Sequence, residues 1–267
     1  MRLYNFFKLI LSKEQAYLYQ YEFKKLNQTV ILQEMVHVSH ENTYKSVNNE
    51  IKDFLKNNSN ARIYLEGVYG EDEHCLKVNQ KLMDLLNIDV KNENTTNTQT
   101  LFLKEIYKAV AKVSGWQLQN NDNYLKDIEN KYLVKADITY EQMYKNLSTL
   151  TIEHKEEKTN VSINNDIINF LQKIKLPGFF AKKAINYTLL KTNKGVNDKD
   201  YFKDHAFNQI KPIILEKRNL FLVDLVVNNK DENIFITYGA AHSIGIKQLL
   251  QEKGYTCELK KKISFEI

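Results

Sequence analysis

Residues 234–250 constrain the fold more than any other stretch. Ile234-Phe-Ile-Thr-Tyr-Gly-Ala-Ala-His242-Ser-Ile-Gly-Ile-Lys-Gln-Leu-Leu250 reads as a short apolar strand, a compact turn with one histidine, and an amphipathic helix. The acidic and amide residues at 231–233 supply the turn that opens the strand, and Gly254 supplies the stop that closes the helix. An apolar strand that passes straight into a helix is an α/β unit. A histidine on the loop at its carboxyl end stands where open α/β sheets place their ligands. Gly239 and the two alanines keep the turn small, so backbone can come close to whatever the imidazole touches.

A second unit of this kind lies near the amino end. Residues 29–37 form an apolar run ending in His37, and residues 41–56 follow as a helix. Tyr44, Val47, Ile51, Phe54 and Leu55 fall on one helical face. The Asn-Asn-Ser-Asn run at 57–60 breaks that helix, and the next strand ends at Leu65-Glu66-Gly67. The chain therefore reads as an α/β fold: a mixed sheet from two strand–helix–strand modules, with a largely helical insertion over the strand ends. One domain is expected, with the first module at 28–90, the insertion at 91–212 and the second module at 213–267.

Between the modules the periodicity is mostly helical. Residues 91–100 read as a polar loop, 101–113 as a helix, 122–132 as another, and 153–159 as a charged linker. Thr139-Tyr-Glu-Gln142 is a capping box opening a helix with Met143, Leu147 and Leu150 on its face. Further helices are expected at 163–174, 179–190 and 201–227, the last divided by Pro212. Residues 14–27 read as a polar lead-in carrying tyrosines, with helical character.

Composition narrows the function classes. The net charge of +5 is modest, and lysines alternate with acids instead of forming a stripe, so no nucleic-acid partner is implied. The one basic run, Lys260-Lys-Lys262, reads as a solvated strand edge that discourages further pairing. The two cysteines, Cys75 and Cys257, have no partner motif and imply free thiols in a reducing, cytoplasmic setting. The apolar residues among the first twelve are interrupted by Asn5 and Lys8, which suits an amphipathic docking segment, with peripheral membrane contact, better than a signal peptide. No stretch approaches the roughly 20 apolar residues that a transmembrane helix needs. Nucleophile-elbow, Walker, dinucleotide-fingerprint and His-Glu-x-x-His motifs are all missing.

The residues that can carry chemistry are His37, His242 and Glu66. Two neutral imidazoles and a carboxylate suit a divalent transition metal with positions left open for water and substrate. Glu66 is the carboxylate because it ends an apolar strand expected beside that of His37, where an unpaired charge is costly. Glu34 stands three residues before His37, either as a further ligand or facing solvent. His40 straddles a turn and reads as a helix cap, whereas His74, His154 and His205 read as surface residues. Arg218 lies on an apolar helix face near Leu215 and Leu222, where the plain reading is an ion pair with Asp224 or Glu66.

Gly239-Ala-Ala-His242, Leu65-Glu66-Gly67 and Arg218-Asn219 together resemble the TraB/TIKI (GumN-type) superfamily, related to ChaN and erythromycin-esterase-like proteins. That pattern has two Gly-x-x-His motifs, a strand-end glutamate between them and an arginine before the second. The resemblance covers roughly residues 28–70 and 213–267, and touches the middle of the chain only at Asp137. The first motif departs from it, because Glu34-Met35-Val36-His37 has glutamate in place of glycine. The resemblance implies a metal-dependent, peptidase-like hydrolase in which His37, His242 and Glu66 hold Mn, Co or Zn. Glu66 serves as ligand or general base, and Arg218 orients it or the peptide or small-molecule substrate. Two other readings stay open on the same scaffold: a non-catalytic peptide- or ligand-binding regulatory protein of the pheromone-shutdown type, and an esterase-like reaction without metal. The sequence leaves the oligomeric state unassigned.

Overall fold

The computed structural model describes residues 17–85, 88–89, 107–108, 111–112, 114–151, 159–160, 209–230 and 232–264. Among them, six strands form one mixed sheet. In chain order these are β1 (Tyr17–Lys25), β2 (Gln28–Met35), β4 (Ala61–Leu65), β7 (Leu133–Lys135), β9 (Asn233–Gly239) and β10 (Thr256–Ser264), arranged as β10-β1-β2-β9-β4-β7. Strands β2, β9, β4 and β7 run parallel, whereas β1 pairs antiparallel with both β2 and the edge strand β10. Two-residue pairs add β3 (Val38–Ser39) with β6 (Gln117–Leu118), and β5 (Ile88–Asp89) with β8 (Thr159–Asn160).

Helices cover both faces, so the central strands are apolar on both sides, as parallel sheets require. On one face Ile31, Met35, Ile63 and Phe235 meet Tyr44, Val47, Ile51 and Phe54 of α1 (Glu41–Asn57). On the other, Val30, Leu32, Tyr64, Ile234, Ile236 and Tyr238 meet two further helices. Leu222, Val223 and Val226 come from α5 (Lys217–Asn228), and Ile246 and Leu250 from α6 (Ser243–Glu252). A satellite core joins α2 (Asp72–Leu85), α4 (Tyr140–Ser148) and the π-helical turn Pro212–Glu216 through Val78, Leu85, Met143, Leu147 and Ile213. A short α3 (Asn121–Tyr124) completes the helices used here.

Local signals in the sequence account for many boundaries. His40 caps α1, its Nδ1 accepting the Asn42 amide at 3.1 Å. The Thr139 and Gln142 side chains form the reciprocal capping box of α4. Gly254, at φ +86°, ends α6 while the amide of Tyr255 returns to the Leu250 carbonyl at 3.1 Å. Strand β10 is the outer edge, and its lysines 260–262 point largely to solvent.

The sheet differs from the sequence expectation in three ways. Residues 17–25 are a strand, because Leu18 and Phe23 bury while Tyr17, Tyr19 and Tyr21 line up on a half-exposed face with ring centroids 6.1–6.4 Å apart. The sheet therefore draws β1 from before the first module and β7 from within the stretch expected to be an insertion. Strand β9 separates β2 from β4, so Glu66 adjoins the strand of His242 and not that of His37. Residues 122–132 are no continuous helix, since Asp127 takes a φ of 62° between α3 and a 3₁₀ turn at Asn130–Tyr132. The readings for residues 1–12, 91–100, 163–190 and 201–208, most of 101–113 and 153–159, and His154 and His205, lie outside the described residues. No described helix is long and apolar enough to cross a membrane.

Candidate functional site at the strand carboxyl ends

Four parallel strands deliver their carboxyl ends to one rim of the sheet. Strand β2 leads to His37, β4 to Glu66, β7 to Asp137 and β9 to the 3₁₀ turn Ala240–His242. The ladder carries Glu66 into place: its amide donates to the Thr237 carbonyl at 3.1 Å, and the Ala136 amide donates to the Leu65 carbonyl at 3.1 Å.

Glu66 is the hub. Its Oε1 accepts from Arg218 Nη2 at 2.9 Å, and its Oε2 accepts the Gly239 amide at 2.5 Å. His242 Nε2 stands 3.4 Å from Oε1. Burial opposes ionisation of this carboxyl, but the His242, Arg218 and Gly239 contacts outweigh it and hold Glu66 well below the usual carboxylate range. A side chain at 239 would bring its Cβ to 3.0 Å from Oε2, so the close approach of carboxylate to backbone needs a glycine here.

Arg218 comes from the first turn of α5 and forks between two acids. Its Nε meets Asp137 Oδ1 at 2.9 Å and its Nη2 meets Asp137 Oδ2 at 2.6 Å, while Nη1 donates to the Ile214 carbonyl at 3.2 Å. Burial works against the guanidinium, yet Asp137 and Glu66 more than restore its charge and raise its pKa further. Asp137 is fully buried and also accepts the amides of Gly67 at 3.0 Å and Ile138 at 2.8 Å. The sequence pairs Arg218 with Glu66 or Asp224; the structure confirms Glu66 and adds Asp137 as the nearer partner.

His242 is buried, at 3% exposure, and both ring nitrogens are aimed. Its Nδ1 meets Asn219 Oδ1 at 2.6 Å. Because an amide oxygen only accepts, this contact places a proton on Nδ1 and leaves Nε2 aimed at Glu66, as a lone pair in the neutral ring or as a second N–H donor in the imidazolium. The Tyr238 ring stands edge-on to the imidazole at 5.2 Å, with its hydroxyl on the Ala136 carbonyl at 2.8 Å. Gly245 allows Asn219 its position, since a Cβ there would overlap the Asn219 amide nitrogen. Behind Asn219 a cleft of about 320 Å³ opens between the π-helical turn and α6, with Leu215, Leu220, Ile244 and Leu249 on its walls.

His37 stands apart from this network. Its side chain is exposed, its ring lies 4.7 Å from that of Tyr107, and its carbonyl accepts the Gln119 amide at 2.8 Å. Burial and the charge of Glu66 raise the Tyr107 phenol above its ordinary value, so a neutral hydroxyl lies beside His37. Glu34 neither faces solvent nor joins His37. It is buried at 4% exposure, with Oε1 accepting Ser243 Oγ at 2.6 Å and Oε2 accepting the Tyr19 amide at 2.9 Å. A glutamate fits at this position because β2 carries it inward, opposite Tyr238 of β9, where two donors await it. Burial pushes its carboxyl up to about 7 against those hydrogen bonds and the charge of Lys247. His74, read as a surface residue, is half-buried and 3.7 Å from Glu71.

Sequence reasoning assigned no role to Asp137 or Asn219. A partial signal for Asp137 exists in an acid two residues past the short Leu133–Lys135 strand, whereas Glu66 follows its strand directly. No protein-family model, curated protein or solved structure matches the chain.

Proposed function

We propose that the chain is a hydrolase of the TraB/TIKI type, dependent on a divalent metal and acting on a peptide or small-molecule substrate at the strand carboxyl ends. The observation that carries this reading is the facing pair of His242 Nε2 and Glu66 Oε1, 3.4 Å apart, with Nδ1 already committed to Asn219. Two acceptors at that separation repel unless a proton or a cation lies with them. An imidazole whose second nitrogen is hydrogen-bonded to an oxygen is also how proteins orient a metal-ligating histidine. Among the described residues no three metal-ligating side chains stand together: His242 and Glu66 are the assembled pair, and His37 on the β2 end would have to turn from Tyr107 to complete a set for Mn, Co or Zn. Such a metal supplies a polarised carbonyl and a bound water of lowered pKa.

The chain's own residues supply the rest. Arg218 and the Gly239 amide keep Glu66 ionised and fix its orientation, which suits it as an anionic ligand more than as a general base, since the same contacts lower its basicity. Asp137 holds Arg218 in place. Asn219 keeps the proton on Nδ1 of His242, and burial of that ring limits access of bulk water. The expected result is turnover of a fluorogenic peptide or ester panel that needs Mn, Co or Zn, stops on chelation, and falls roughly 100-fold or more in His242→Ala. Turnover unchanged in that variant contradicts the assignment.

One observation favours a second reading. Both Glu66 oxygens already hold protein donors, and His37 lies against Tyr107, an arrangement that suits a ligand-binding regulatory protein with no hydrolysis. Binding of the same peptides without cleavage under every metal condition supports that reading.

A further inference from the structure

We propose that Glu34 is a positioning residue for His242: from β2 it clamps the far end of the His242 turn, as Glu66 clamps its near end from β4. Strand β9 runs between β2 and β4, and its carboxyl end continues as residues 239–243. At the start of that segment Glu66 accepts the Gly239 amide; at its end Glu34 accepts the Ser243 hydroxyl at 2.6 Å. His242 lies directly before Ser243, so the second clamp acts one peptide from the imidazole. Glu34 is itself fixed, because its other oxygen holds the Tyr19 amide at 2.9 Å and its backbone carbonyl accepts Gln33 Nε2 at 2.9 Å. Nothing else described ties Ser243 Oγ, so the hydroxyl depends on this carboxyl for its partner.

The groups facing Glu34 come from three elements. Strand β1 contributes Tyr19 and Tyr21, and α6 contributes Ser243 and Lys247, whose ammonium lies 4.7 Å from the Tyr21 ring centre. From β9, Tyr238 is the register partner of Glu34. As a carboxylate, Glu34 accepts from both Ser243 and Tyr19. As an acid it retains the Tyr19 bond and presents its own hydroxyl to Ser243 Oγ, which reverses the donor in the clamp. Because burial brings this carboxyl to about 7, the exchange falls near neutral pH and reaches the His242 turn.

The inference rests on His242 as the working residue of the proposed site, and its test requires neither turnover nor metal. ¹H–¹⁵N and side-chain carboxyl ¹³C spectra of the full chain as purified are followed from acid to alkaline pH for wild type, Glu34→Gln and Ser243→Ala. In wild type the backbone amides of His242 and Ser243 are expected to show a step that follows the Glu34 carboxyl resonance, centred near pH 7. That step is lost in Glu34→Gln, whose neutral side chain mimics the acid form. In Ser243→Ala, which keeps the Tyr19 contact and covers the case of Glu34→Gln failing to fold, the His242 amide no longer follows the Glu34 carboxyl. Backbone amides of His242 and Ser243 that shift with pH identically in wild type and in the folded variants overturn the clamp. A protein without metal or turnover that still shows the step retains the clamp and loses the hydrolase, so the two failures are distinct.

Discussion

Arg218→Met is expected to cost about 3–5 kcal/mol of folding stability at neutral pH, the largest loss for any single substitution at this site. The change leaves Asp137, fully buried, with only the Gly67 and Ile138 amides, and removes the cation that Glu66 shares with it. Asp137→Asn added to Arg218→Met removes one stranded charge and is expected to restore part of the loss. Arg218→Lys keeps the charge but cannot fork to both acids, and is expected to fall between wild type and Arg218→Met. Denaturant unfolding of the four proteins checks this. A loss below about 1 kcal/mol in Arg218→Met contradicts the network, because that is the range of exposed pairs.

Glu34→Gln carries the second large effect, and its sign depends on pH. The folded carboxyl sits at about 7 and its ordinary value is 4.5, so the native state holds this proton more tightly than the unfolded chain. Between those values the native state binds more protons, and stability therefore falls as pH rises, levelling off above pH 7. At 1.36 kcal/mol per unit the full fall is on the order of 3 kcal/mol. Glutamine removes it. The stability of Glu34→Gln relative to wild type should thus rise from pH 5 to pH 8, and thermal unfolding at the two pH values measures the difference. Glu66, held far lower, does not enter this window. A constant difference between the proteins across the window contradicts the burial of an ionisable carboxyl at Glu34.

Much of this arrangement is readable in the sequence where one physical signal dominates. Continuous apolar runs at 30–32 and 234–236 mark strands buried on both faces, and the face of Tyr44, Val47, Ile51 and Phe54 marks the helix over them. Capping residues set their ends. What stays hidden is set by tertiary partners. Strand β1 alternates tyrosine with leucine, glutamine and glutamate, and its ladder with β2 and β10 overrides a polar composition. Strand β7 spans three residues, too short for any period, and forms because β4 offers an open edge. The same holds at the site. Glu66 and His242 announce themselves by ending apolar strands, whereas Asn219 and Asp137 acquire meaning only once α5 is folded back over the rim. Glu34 reads as a ligand or a solvated residue because the two donors that satisfy it lie 15 and 209 positions away.

The central claim is that His242 and Glu66 face each other around a divalent cation. Metal content of protein purified without a histidine tag, wild type beside His242→Ala, tests it most directly. Near-stoichiometric Mn, Co or Zn in wild type, lost in a variant that remains folded, is the predicted result. Wild-type protein that takes up none of these metals, even after dialysis against each of them, contradicts the account.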